Sequence, residues 1–404
     1  FYSVLTSMRV FGTGRKLNRI LLKPRVTAMR TTLNRRNLLR IGLIAVPALS
    51  WSQFSLAQQA RVRTVAGTGV AGLDPEGSSG TPATMTRINN PYGIVVGPDT
   101  ALYFCEVDTG RTRRIDLNSR LLTTVAGNGE QAYAGDGRLA LEASFWAPHE
   151  IRFDDPGNLF IVSRDSHTVR RIDAASGRVS TVAGTGEAGF SGDGGAAKAA
   201  QLRQPHSIAF DARGDLLICD IGNARLRRVD MNTGVISTLS GTGDRVATPD
   251  SAALSGTPLL GPRSIDTDTA GKAYLVLREG NSVFELDIAN DRLSRIAGTG
   301  ERGYSGDGGA AIDATFNGPK GIAYSAQDHS LYIVDTENHV IRRMSLGTGI
   351  IDTVLGSGER GDGPDGEPLG CKLNRPHGVF VHERLLYVTD SESHRIREVS
   401  GLFA

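Results

Sequence analysis

Six prolines, Pro91, Pro148, Pro205, Pro262, Pro319 and Pro376, follow one another at a constant interval of 57 residues. A period of that length fixes the architecture before any local feature can be weighed. A second marker keeps the same beat: AGTG at 66–69, AGNG at 126–129, AGTG at 183–186, SGTG at 240–243, AGTG at 297–300 and LGSG at 355–358. Inside one unit four short apolar runs alternate with turn residues, as in GIAYS, LYIVD, VIRRM and IDTVLG. Such runs, rich in Val, Ile and Tyr and bounded by Gly, Asp and Asn, predict strands. Four strands repeated six times predict an all-β fold, a six-bladed β-propeller with one four-stranded antiparallel sheet per blade.

A solenoid shares such periods but needs atypical capping repeats at its ends. The ends here behave otherwise. The last unit supplies three strands, around residues 379–382, 386–390 and 394–399, and lacks a fourth. RVRTVAG at 61–67 matches the fourth strand of the other units, such as RVSTVAG at 178–184. Pairing the first onto the last closes the ring and leaves no sheet edge at the seam.

The formal charge of +2 conceals an asymmetry. Residues 1–60 hold ten Lys or Arg and no acid, and the remainder carries 35 basic against 43 acidic residues. An acidic folded part argues against nucleic acid as a partner. The basic stretch fits a leader instead: residues 29–57 read as a signal peptide, with Arg35 and Arg36 before Asn37, Leu38 and Leu39 resembling a twin-arginine export signal. Residues 1–28 read as an upstream extension, and 61–400 as the propeller. The apolar run at 41–50 is too short to span a bilayer. The expectation is a monomer exported to the periplasm or the extracellular space, without a stable membrane span.

The first strand of a propeller blade lines the central channel, so the residue after each repeat proline should ring one mouth. Those residues are Tyr92, His149, His206, Arg263, Lys320 and His377, a set that attracts anions. Three imidazoles there could also hold zinc, although they come from the second, third and sixth blades, and Arg263 and Lys320 would repel a dication. Glu150 is the nearest acid, and strand alternation turns it away from His149. His167, His339 and His394 recur in the turn after the second strand, where a structural role is expected. Glu106, Asp220, Asp335 and Asp390 end second strands, and Arg113, Arg170, Arg227, Arg342 and Arg397 follow on third strands, an arrangement for buried carboxylate–guanidinium pairs. Blade four has Leu277 and Phe284 at those places. In the Gly-rich loops, Asp136, Asp193, Asp307 and Asp362 are expected to cap turns; a calcium site shared by these loops is the lesser reading. Cys105 and Cys219 are expected to be buried strand residues, and three cysteines make no disulfide framework.

LYIVDTENHVIRRM, LYVTDSESHRIREV and SGDGGAA resemble NHL repeats over about 61–399. That resemblance implies a six-bladed propeller and leaves function open. It is also similar, distantly, to the peptidyl-hydroxyglycine amidating lyases, which implies His149, His206 and His377 as zinc ligands, with Tyr92 for proton transfer and Arg263 for a substrate carboxylate. The leading expectation is a rigid binding platform for a protein, peptide or carbohydrate at the channel mouth. The alternative is a zinc-dependent lyase or hydrolase at the same place. Lactonase and strictosidine-synthase-like relatives use acidic metal ligands near the axis, and this ring has none.

Overall fold

The computed structural model describes residues 59–75 and 80–403; the expected leader and upstream extension lie outside them. Each repeat folds as one antiparallel sheet, exemplified by blade one: Pro91–Val96, Leu102–Glu106, Arg111–Ile115 and Leu121–Ala126 from the axis outward. The innermost strands of the other blades are Pro148–Phe153, Pro205–Phe210, Pro262–Thr267, Gly321–Ser325 and Val379–His382. Each packs beside its neighbour, and Val379–His382 packs against Pro91–Val96 to close the circle. Blades one, four and five add a short fifth strand, Thr81–Pro82, Ser251–Ala253 and Gly309–Ala310, outside the expected four.

The seam forms as the repeat demands. Arg61–Ala66 pairs antiparallel with Arg395–Ser400, Val62 opposite Val399 and Thr64 opposite Arg397, with a bulge between Thr64 and Ala66. The fourth strand of blade two carries the same bulge, between Thr181 and Ala183. Val62 packs in the core between blades five and six, and Val65 and Ala66 in the core between blades six and one. The glycine after each bulge explains the second marker. Gly67 has a φ of +89° and Gly184 of +94°, and a Cβ there would lie 2.1 Å from the His394 carbonyl oxygen or 2.2 Å from that of His167. Only glycine satisfies both the left-handed backbone and that approach.

Between blades, Arg113, Arg170, Arg227, Arg342 and Arg397 are all essentially fully buried. Arg397 reaches Asp390 at 3.1 Å, and Arg227 lies 3.6 Å from Asp220. The loop acids do more than turn the chain: Asp136, Asp193, Asp307 and Asp362 bind Arg170, Arg227, Arg342 and Arg397 at 2.5 to 2.7 Å. The loop aromatics Tyr133, Phe190 and Tyr304 lie over the same guanidiniums. Burying an arginine is costly without partners, and the loop adds a carboxylate and an aromatic face to what the strand end offers. Blade four replaces the pair as a pair, with Leu277 and Phe284 in one apolar cluster, whereas blade two has Ser163 at the strand end and keeps Arg170 paired with the loop acid Asp136. Cys105, Cys219 and Cys371 are free and buried. No helix among the described residues is long and apolar enough to cross a membrane.

Candidate functional site

The residue before every repeat proline has a left-handed backbone: φ is +49° at Asn90, +49° at Ala147, +50° at Gln204, +76° at Gly261, +56° at Gly318 and +46° at Arg375. Four of the six are not glycine, and such residues cost about 1–2 kcal/mol each in this conformation. The turn histidines hold them there. His167 Nδ1 accepts from the Gln204 N–H, His339 Nδ1 from that of Arg375 and His394 Nδ1 from that of Asn90, each at 3.1 to 3.2 Å and each across a blade boundary. Asn281 Oδ1 does the same for Gly318, and Gln131 Oε1 for Ala147. The expected structural role of these histidines is thereby a specific one: they fix the bend from which the next proline launches its strand.

That bend delivers the ring residues to one mouth. Tyr92 stacks on His377 with centroids 3.8 Å apart, Tyr92 and His149 are 4.6 Å apart, and His149 and His206 are 4.8 Å apart. Four rings thus form an aromatic arc, and Arg263 and Lys320 complete the circle. Tyr92, His206, Arg263, Lys320 and His377 line a cavity of about 310 Å³; His149, 4% exposed, supports it from beneath.

The imidazoles are anchored through Nδ1. His149 Nδ1 donates to the Ala147 carbonyl at 3.0 Å, and His206 Nδ1 to the Gln204 carbonyl at 2.7 Å. His377 Nδ1 lies 3.0 Å from Ser391 Oγ, which itself donates to the Pro91 carbonyl. A serine hydroxyl committed in that way can only accept, so all three rings carry the proton on Nδ1 and present a lone pair at Nε2. Burial pulls all three well below the usual histidine value, and nearby Arg263 and other cations push the same way. They are neutral at pH 7.

Sequence reasoning missed the four other charged residues of this cavity, Arg164, Arg245, Arg278 and Glu279. Arg164 and Arg278 follow second strands that end in Ser163 and Leu277, the two blades whose strand end lacks an acid. Reading that position around the ring, as was done for the post-proline position, would have found them. Arg245 stands in the loop before blade four, which has no SGDGG, and donates to the carbonyls of Ile221 and Gly222. Arg164 binds Asp165 and reaches His149 Nε2 at 3.4 Å; Arg278 binds Glu279. Lys320 Nζ contacts His377 Nε2 at 3.2 Å and Glu337 Oε1 at 3.1 Å.

Arg263 differs from all of these. It is 6% exposed, and among the described residues its guanidinium has no hydrogen bond or ion pair. Burial presses it down to about 10, and Lys320, buried beside it, to about 8. Glu150 lies between blades, its carboxylate 2.6 Å from Arg152 and 3.5 Å from Ser207; it acts on Arg263 through its charge but forms no ion pair with it.

Zinc suits this arrangement poorly. The anchored Nδ1 atoms resemble the outer support that metal-binding histidines receive, but the Nε2 lone pairs of His149 and His377 already accept from Arg164 and Lys320. Cations at those points repel a dication. Among the described residues no three His, Cys, Asp or Glu side chains are grouped to hold a metal. Arg164, Arg245, Arg263, Arg278 and Lys320 line the cavity together with one acid, Glu279.

Six blades, a strand borrowed from the N-terminal side to close the last, and a cationic mouth define a six-bladed β-propeller with its candidate site on the axis. The chain is a homologue of NHL repeat-containing proteins. It is 24% identical over 287 residues to human NHL repeat-containing protein 2, covering 63% of this chain and 39% of that one. It is 28% identical over 218 residues to the Arabidopsis thaliana protein SUPPRESSOR OF QUENCHING 1, chloroplastic, covering 52% of this chain and 20% of that one. The chain thus spans well under half the length of these relatives. In fold it is similar to an auxiliary nutrient binding protein of Bacteroides thetaiotaomicron, with a TM-score of 0.60 at 16% identity, covering 85% of this chain and 76% of that one. No family model matches the chain.

Proposed function

We propose that the protein is a binding platform whose channel mouth takes an acidic group, a carboxylate or sulfate, borne by a peptide or carbohydrate. The observation that carries this reading is Arg263, a buried guanidinium without a partner among the described residues, in a cavity it shares with Arg164, Arg245, Arg278 and Lys320. A buried charge left unpaired is costly, and an oxyanion seated there relieves that cost with charge-assisted hydrogen bonds. The aromatic arc opposite gives a sugar or side chain an apolar surface. A structural neighbour bearing the name of a nutrient binding protein is in keeping with this use. Export through the 29–57 leader belongs to the same proposal.

The test is thermal melting of the full chain with sulfate, galacturonate or galactose across pH 6 to 9. A ligand at 100 times its Kd adds about 2.7 kcal/mol to stability. Galacturonate and sulfate are expected to raise the melting temperature, and galactose to leave it unchanged. The affinity for anions should fall as pH rises through about 8, because Lys320 loses its charge there. Equal effects of galactose and galacturonate would overturn the reading.

A further inference from the structure

The mouth holds a primary amine as well as a guanidinium, and anion binding uses its charge but not its nitrogen lone pair. Lys320 is 6% exposed yet lines the cavity. Its Nζ contacts His377 Nε2, a neutral acceptor fixed by Ser391, and one oxygen of Glu337. Glu337 is itself clamped by Arg375 at 2.8 Å, which divides its charge between two cations. A lysine that is desolvated and set beside another cation keeps its nitrogen lone pair available near neutral pH, the condition under which lysines attack carbonyl carbon.

We propose that Lys320 captures the carbonyl carbon of a small 2-oxo acid as an imine, with the acid's carboxylate seated on Arg263. The two groups of the ligand are adjacent, as Arg263 and Lys320 are adjacent in the ring, and a cavity of about 310 Å³ admits a ligand of this size. The step balances without a co-reactant. The uncharged amine adds to the carbonyl carbon, the carbonyl oxygen leaves as water with both amine hydrogens, and a carbon–nitrogen double bond remains. Nothing is oxidised or reduced. This inference rests on the acidic-ligand reading, for the carboxylate must find Arg263.

The experiment is reductive trapping: the full chain is incubated with pyruvate and cyanoborohydride, and the modified lysine is located by peptide mass mapping. One pyruvyl adduct at Lys320 is expected, with the exposed Lys198 and Lys372 labelled far less. Sulfate should suppress the adduct in the unaltered protein. Lys320→Arg should abolish it, and Arg263→Leu should lower pyruvate trapping tenfold or more while acetaldehyde still reacts at Lys320, the loss of a charge-assisted hydrogen bond being worth roughly that factor. An unlabelled Lys320, or label spread evenly over Lys198, Lys320 and Lys372, overturns the proposal. If sulfate nonetheless stabilises the protein through Arg263, imine formation is excluded and the binding reading stands. If sulfate has no effect either, both fall.

Discussion

Arg263→Leu is expected to make the protein more stable. Burial, with Arg278 and Arg164 pushing the same way, presses this guanidinium from its ordinary 12.5 to about 10, a net cost on the order of 3 kcal/mol. Leucine removes the charge and leaves apolar atoms against His206 and Tyr92. The midpoint of denaturant unfolding should rise, by about 2–3 kcal/mol in stability, while anion binding disappears. The contrast is Arg397→Leu. Arg397 is as buried as Arg263, but it binds Asp390, Asp362, Asp365 and Thr64. Its loss strands a fully buried carboxylate, Asp390, and is expected to destabilise by about 3–5 kcal/mol. The same substitution at the same depth thus has opposite signs. Two variants that lose stability equally would show that Arg263 is a structural arginine and not a binding one. A stabilising loss is what a site held in a costly state for its ligand produces.

Removing Arg61–Ala66 is expected to have the largest effect on the fold. The strand carries Val62, Val65 and Ala66 into the cores on both sides of the seam, and each buried valine is worth about 1.5–3 kcal/mol. Val62 exchanges backbone hydrogen bonds with Gly366, Thr64 binds Asp365, and Arg63 binds Glu398. Without the strand, Arg397 loses Thr64 and Arg395–Ser400 becomes an open edge. Circular dichroism and gel filtration should show an unfolded or aggregated chain, and a synthetic RVRTVAG peptide should restore some of the fold. A truncated chain that melts like the full one would mean the propeller does not depend on this closure.

The fold was legible because the same physical problem is solved six times. Proline before the first strand recurs every 57 residues, glycine after the outer bulge recurs once per blade, and an acid ends the second strand in four of the six. The post-proline ring was legible for the same reason: five of its six members line one cavity, and His149 packs against Tyr92 and His206. What periodicity concealed was departure from the pattern. Arg164 and Arg278 replace nothing in their own alignment column except small or apolar residues, so they read as loop arginines until the sheets bring them over the cavity. Arg245 sits two residues after its SGTG marker, where Ala188, Arg302 and Arg360 stand in other units, so it read as an ordinary loop position. The left-handed residues before each proline left no mark either: residues before proline ordinarily avoid such bends, and only the side chain that accepts from their N–H, histidine in three blades and Gln131 or Asn281 in two others, shows how they are held. The loop acids were read as turn formers because their partners are arginines some 35 residues away.

The central claim is that the mouth is a seat for negative charge built on Arg263. Isothermal titration of galacturonate into the full chain and into Arg263→Leu, at pH 7 and low ionic strength, tests it most directly. Saturable one-to-one binding in the first that weakens with added salt and is lost in the second is the predicted result. Binding of equal strength in both proteins, or in neither, would contradict it.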